Sequence, residues 1–287
     1  MARAVAVKVY AEGLTLDVPS CSRNFARNVT AAQEPRTVLI FYAFARELAH
    51  FRRRLEARSA LTSDGLRGLR GRLGGSELTL IATGMGTARA RQAVRRALEV
   101  FPGTNLIISA GVVGALSEGL GPGDLVVADR LMLRGKESAS VAHILPLDPG
   151  QVRAAEQALR AAGLRFATGA ILTASGVLAD GAAKRVAKEQ SGAIAVDMES
   201  AVLGLEAAAH GISFVCVRAV LDAVDDEIPA AELGGADGQV RPLAAASFLV
   251  RHPATLLKLP LLIRNLSRAT ASLAEALDAL TRDRTPR

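Results

Sequence analysis

The sequence predicts a layered α/β domain, and three observations carry that reading. From Val38 onward, short apolar β-favouring runs alternate with longer stretches of helical periodicity, the pattern of strands interleaved with covering helices. Half of the 287 residues are apolar and 22% are charged, which supplies a sizeable core and excludes disorder over most of the chain. The 26 glycines and 11 prolines stand at separated breaks between the apolar runs, so they punctuate elements and form no fibrous repeat.

Val38–Phe44 reads as a first buried strand. Arg46–Ala57 reads as a helix, since Leu48, Phe51 and Leu55 recur at spacings of three and four and leave the arginines on the other face. Leu78–Thr83 is a second strand, Gly84-Met85-Gly86 a tight turn, and Thr87–Val100 a helix for which Thr87 suits the cap. A third strand, Asn105–Ala110, is followed by an expected turn at Gly111–Gly114, and a further strand runs from Gly123 to Asp129. Gln151–Ala162 is a helix stopped by Gly163. Strand Thr168–Thr173, helix Asp180–Glu189, short strand Ala193–Val196, helix Glu199–His210 closed by Gly211, and strand Ser213–Val220 complete the core. No linker or repeat interrupts Val38–Ile228, so residues 36–287 read as one domain behind an N-terminal extension, residues 1–35, that lacks a secretory signal pattern.

Residues 241–287 form a helical, basic and apolar tail in which Pro253 and Pro260 are expected to break or kink the helix. Leu256, Leu257, Leu259, Leu261, Leu262 and Ile263 crowd around Lys258, flanked by His252, Arg264 and Arg268. Such a segment is too short to cross a bilayer. It suits either a helix packed on the core or one lying at the inner face of a membrane as a peripheral contact.

The net charge of +7 invites a nucleic-acid reading, but no Trp, two Tyr and eight Phe leave little material for base stacking, and no nucleic-acid partner is expected. Two cysteines, Cys21 and Cys216, make no disulfide framework and suggest a cytoplasmic protein. The histidines His50, His143, His210 and His252 show no ligand spacing, so no metal site is expected. Gly84-Met85-Gly86 after a strand hints at a dinucleotide fold, yet Arg89 stands where the third glycine belongs.

Three segments stand at strand ends, where ligands gather in open α/β sheets: Phe44-Ala45-Arg46-Glu47, Val196-Asp197-Met198-Glu199-Ser200-Ala201 and Arg218-Ala219-Val220-Leu221-Asp222. With the ATGMG turn, SAGVVGAL, GDLVVAD and ILTAS, they resemble the nucleoside phosphorylase and nucleosidase family that includes methylthioadenosine/S-adenosylhomocysteine nucleosidase. Within it the chain looks most like the hopanoid-associated phosphorylase branch. The resemblance implies a three-layer α/β/α sandwich around a central mixed, mostly parallel twisted sheet, a homo-oligomer, and release of adenine from a small-molecule or lipid-linked 5′-substituted adenosine. It implies no cofactor, with inorganic phosphate as a possible co-substrate.

Breaking an N-glycosidic bond requires tolerance of positive charge on the ribose, a proton for the departing base and a nucleophile at the anomeric carbon. By resemblance Glu199 binds the ribose hydroxyls and Met198 lies against the sugar. Asp222 is the general acid, although Leu221 stands where the nucleosidase pattern often has serine. The nucleophile stays open. One alignment makes Glu47 the base that activates water, and another puts Arg46 on a phosphate. A phosphate site would draw on Arg46, Thr87, Arg89 and Ser109 with the glycine-turn amides, because Ser109 and Val112 replace family phosphate ligands. Adenine is expected against Val177 and Leu178, with Gly111 also in contact with substrate. A noncatalytic nucleoside- or lipid-binding protein is the alternative of another class, which the presence of both Glu199 and Asp222 argues against.

Overall fold

The computed structural model describes residues 7–11, 14–18, 37–135, 141–227 and 254–282. Cys21, His252 and Pro253 lie outside them, as do most of the N-terminal extension and residues 228–253. Within the extension, β1 (Val7–Ala11) and β2 (Leu14–Val18) pair as an antiparallel two-stranded sheet.

The core begins with β3 (Thr37–Tyr42), whose side chains alternate: Val38, Ile40 and Tyr42 enter one apolar cluster, Leu39 and Phe41 another. A strand apolar on both faces belongs at the centre of a sheet. The helix expected over 46–57 shrinks to one turn, α1 (Ala49–Arg52). Leu48, Phe51 and Leu55 are buried as their spacing requires, but the chain then turns into β4 (Glu56–Leu61) and back along β5 (Gly68–Leu73). Gly74 and Gly75, with φ of +55° and +89°, make the tight turn from β5 to β6 (Ser76–Ala82). Pairing to the sheet edge overrides the helical period here, and the Gly-Gly pair is its sequence signal.

The helix α2 (Thr87–Val100) is capped at Gly86, without the side-chain bond expected of Thr87. Next, β7 (Thr104–Ala115) runs straight through Gly111–Gly114, where a turn is expected. The chain stays extended there because two other strands hydrogen-bond to that stretch. β8 (Leu125–Arg134) continues past Asp129 to pair with β9 (Val141–Pro146). Then follow α3 (Pro149–Ala161), β10 (Phe166–Thr173), α4 (Gly181–Ser191), β11 (Ala195–Asp197), α5 (Ser200–Ala209) and β12 (Ser213–Asp222). The last helix, α6 (Ala254–Thr281), passes through Pro260 unbroken, contrary to the break expected there.

The sheet order is β11-β10-β8-β12-β7-β3-β6-β5-β4, with β9 on β8, and β11 also pairs β7. That last pairing closes β7, β12, β8, β10 and β11 into a ring. The sheet is mixed, as expected, and most of its paired residues face a parallel neighbour; the hairpins β4-β5-β6 and β8-β9 supply most of the antiparallel pairs. Phe51, Ala155, Leu159, Ala269, Leu273 and Leu277 bring α1, α3 and α6 onto one face. Ala90, Val94, Ala97, Ala201 and Leu203 bring α2 and α5 onto the other. The C-terminal half of α6 is therefore a core helix. Leu261 and Ile263, nearer its start, are exposed.

Candidate active site

Arg218 sits in the apolar run Phe214–Val220 and is 1% exposed, so its charge must be met inside the protein. Nη2 pairs with Asp197 Oδ2 at 2.9 Å and donates to Ser109 Oγ (2.9 Å) and Ser200 Oγ (2.7 Å). Asp197 is held in turn by the Thr173 hydroxyl (2.7 Å) and the Ser200 N–H (3.1 Å). This shell makes the buried pair tolerable and fixes the guanidinium.

Glu47 lies in the turn after β3, also buried. Its Oε2 accepts from the N–H groups of Ala43 (2.7 Å) and Phe44 (3.0 Å), and Oε1 accepts from Val112 N–H (3.0 Å). Burial raises its pKa, against the opposing pull of Arg218 and the three amides. A Cβ on Gly111 would collide with Arg218 Nη1 and lie 2.6 Å from Glu47 Oε1, so glycine here gives the carboxylate and the cation room to approach over β7.

Glu199 occupies the N-cap position of α5 yet makes no capping bond. Its Oε1 instead reaches across to accept from Gly86 N–H at 2.6 Å, at the start of α2. Burial first, then the charge of Asp197, push its pKa up to about 8, with Arg218 opposing. Asp222 ends β12 against Gly114 of β7, which β11 also meets through Val196. Burial lifts Asp222 to about 6 and the Lys184 ammonium, 2.5 Å from Oδ2, holds it down. β7 is thus the common spine: Gly111 touches Glu47 and Arg218, and Gly114 touches Asp222.

Of the other expected residues, Met198 is half-buried beside Glu199, and Leu178 packs beside Leu116, Leu172 and Val196 while Val177 is exposed. The four phosphate candidates differ in exposure. Arg46 is exposed, Thr87 and Arg89 are half-buried on α2, and Ser109 is fully buried with its hydroxyl bonded to Arg218 and Ser200. Ser109 is a support for Arg218, not an open phosphate ligand. Arg218 and Asp197 stand within the sequence motifs without a role legible there, and Lys184 lies outside them. The signal for the first was an arginine inside an apolar strand. Lys184 carried none, since a lysine in a helix is ordinarily solvated.

The fold and this carboxylate-rich site define an enzyme that cleaves N-glycosidic bonds, and the chain belongs to the Phosphorylase superfamily, whose model matches residues 37–249. Its curated relatives include a 5′-methylthioadenosine/S-adenosylhomocysteine nucleosidase of Geobacillus thermodenitrificans, 28% identical over 200 residues, which cover 66% of this chain and 84% of the relative. The enzyme of the same description from Chromohalobacter salexigens is 28% identical over 204 residues, covering 67% and 86%. Among solved structures, the nucleosidase of Neisseria meningitidis with methylthio-immucillin-A matches with a TM-score of 0.67 at 20% identity, covering 86% of this chain and 99% of that one. A futalosine hydrolase of Helicobacter pylori matches at 0.65 and 14% identity, covering 85% and 99%. These structural likenesses show the fold.

Proposed function

We propose that this protein hydrolyses the N-glycosidic bond of a 5′-substituted adenosine and releases adenine. The observation that carries the proposal is the buried Glu47 carboxylate, gripped by three backbone amides and set beside Arg218 over Gly111. Such a carboxylate is a fixed base for a water molecule. Raised by burial, it is also a stronger base than a solvated one. In this reading Glu199 accepts hydrogen bonds from the ribose hydroxyls, and its charge opposes the positive charge growing on the sugar. Asp222 passes a proton to N7 as the C1′–N9 bond breaks, the bonding pair leaves with adenine, and water deprotonated by Glu47 bonds to C1′. Met198 flanks the sugar, and Leu178 with Val177 walls the base. No cofactor enters these steps.

Water is favoured over phosphate as acceptor because Ser109 is committed to Arg218 and Arg46 faces solvent. Purified protein is to be offered methylthioadenosine with and without inorganic phosphate. Adenine and the free sugar should appear at the same rate in both. A strict phosphate requirement with a sugar-1-phosphate product would overturn the acceptor, and no adenine from any 5′-substituted adenosine would overturn the function.

The finer proposal concerns the 5′ substituent. Exposed Leu261 and Ile263, at 44% and 58%, lie on different sides of the first half of α6, which also exposes Arg264; an exposed helix turn so apolar and cationic suits an anionic membrane and a lipid-linked substituent such as a hopane chain. Among the described residues no helix is long and apolar enough to cross a membrane, so contact would be peripheral. Flotation with anionic liposomes of wild type and Leu261→Ser/Ile263→Ser tests it, and equal flotation would remove the lipid reading.

A further inference from the structure

Lys184 on α4 is 0% exposed, an unusual place for an ammonium group. Its Nζ donates to the carbonyl oxygens of Ala223 (2.7 Å) and Asp226 (2.8 Å) and stands 2.5 Å from Asp222 Oδ2. Two donors of the ammonium are spent on the short segment that follows β12, and the charge also stands against Asp222 at the end of that strand. Other contacts fasten the same segment. Asp226 Oδ2 accepts from Ala223 N–H at 2.8 Å, Arg185 pairs with Asp225, and Gly181 packs under the Val224 carbonyl. The segment is held without the contact to Asp222, so that contact calls for a separate account.

We infer that Lys184 is a positioning residue for the general acid: it holds Asp222 Oδ2, leaves Oδ1 to meet the base, and stabilises the carboxylate left behind when the proton passes to adenine. The inference rests on the proposed role of Asp222. An ammonium attracts a carboxylate far more than a carboxylic acid, so its interaction strengthens as Oδ1–H breaks and N7–H forms, and that difference speeds the step. Lys184 keeps its own proton throughout. The charged groups facing Asp222 are few: Lys184 from α4 and Asp226 from its own segment, while β7 and β11 present only Gly114 and Val196. Lys184 lowers the pKa of Asp222 and Asp226 raises it. With the cation gone, Asp222 would be protonated over a wider pH range yet would release its proton less readily.

Lys184→Gln keeps two N–H donors for the carbonyls and removes the charge. Its kcat for adenine release should fall about ten-fold or more with KM little changed, and the alkaline limb of kcat should move to higher pH. A 4-nitrophenyl riboside, whose leaving group departs without a proton, should be cleaved at close to the wild-type rate. Lys184→Arg should return the limb towards its wild-type position. An unmoved limb, or equal losses on both substrates, would show a fastener and overturn the inference. If the glutamine variant does not fold, Lys184→Met takes its place: adenine release must suffer more than riboside cleavage, and equal losses overturn the inference. Asp222→Asn separates the underlying reading, because a variant that still releases adenine normally removes the role of Asp222 whatever Lys184 does.

Discussion

At the scale of single residues, what distinguishes this site is how much backbone and buried polarity is committed to a few side chains. Glu47 takes three amides and, among the described residues, makes no side-chain hydrogen bond in return, an arrangement that serves chemistry better than packing. Glu47→Gln should therefore lower kcat by about a hundred-fold or more, leave KM within a few-fold, and fold normally; steady-state kinetics with circular dichroism checks this. Gly111→Ala is the sharper test of geometry. The added methyl must displace Arg218 Nη1 or Glu47 Oε1, so activity should fall steeply while stability drops by only about 1–3 kcal/mol, and a normally active alanine variant would dissolve the proposed pairing of base and cation. Arg218→Met, by contrast, strands Asp197 in the interior and should cost about 3–5 kcal/mol, of which Arg218→Met/Asp197→Leu recovers a part in chemical denaturation.

At the scale of elements, the order of strands and helices from β6 to β12 was readable except for β9, whose half-exposed VAHILP gives no apolar run, because each other strand is a compact apolar run and each helix carries a period of three to four. The misreadings share one cause. Arg46–Ala57 has a helical period for as long as it needs to bury Leu48, Phe51 and Leu55, and only Gly74-Gly75, well down the chain, signals that the arginine-rich continuation will pair with a sheet edge. Gly111–Gly114 has turn composition because the side chains of Glu47, Arg218 and Asp222 and two strands approach it, a reason visible only after folding. Glu47, Glu199 and Asp222 stood at legible strand ends, whereas Lys184 and the serines that hold Arg218 become meaningful only through contacts remote in sequence. Pro260 misled in the opposite direction, since tertiary packing carries α6 past it. Ala269, Leu273 and Leu277 recur on one face of that helix and are fully buried on the sheet, with His50 and Thr270 hydrogen-bonded at 3.0 Å beside them. Leu273→Ala should cost about 2–5 kcal/mol in thermal or denaturant unfolding and leave the pH profile of the remaining activity unmoved; a loss under 1 kcal/mol would mean the helix is only loosely held.

At the scale of the whole molecule, concentrating carboxylates in the interior links stability and activity to pH with opposite demands. Below pH 4.5 Glu199 is protonated whether the chain is folded or not. Between 4.5 and about 8 the unfolded chain has lost that proton and the folded one retains it, so stability falls as pH rises, by up to about 1.4 kcal/mol per pH unit. Asp222 adds the same sign between 3.8 and about 6. Glu199→Gln should flatten this decline and melt above wild type at pH 8 while being inactive, and parallel melting curves would show that Glu199 is not carrying the burden. Catalysis asks for the reverse state, Glu199 ionised and Asp222 protonated. In the free enzyme the two groups lie the other way round, so the productive form is a minority, and kcat/KM should be bell-shaped with limbs near 6 and 8 that belong to the pair. A bound ribose changes the balance, because its hydroxyls donate to the Glu199 carboxylate and favour its charged form. The alkaline limb of kcat should then lie below that of kcat/KM. A 2′-deoxyribose substrate offers one donor fewer and should lose part of that displacement; if both sugars give the same pair of profiles, Glu199 does not meet the hydroxyls and the orientation of the substrate in this site must be redrawn.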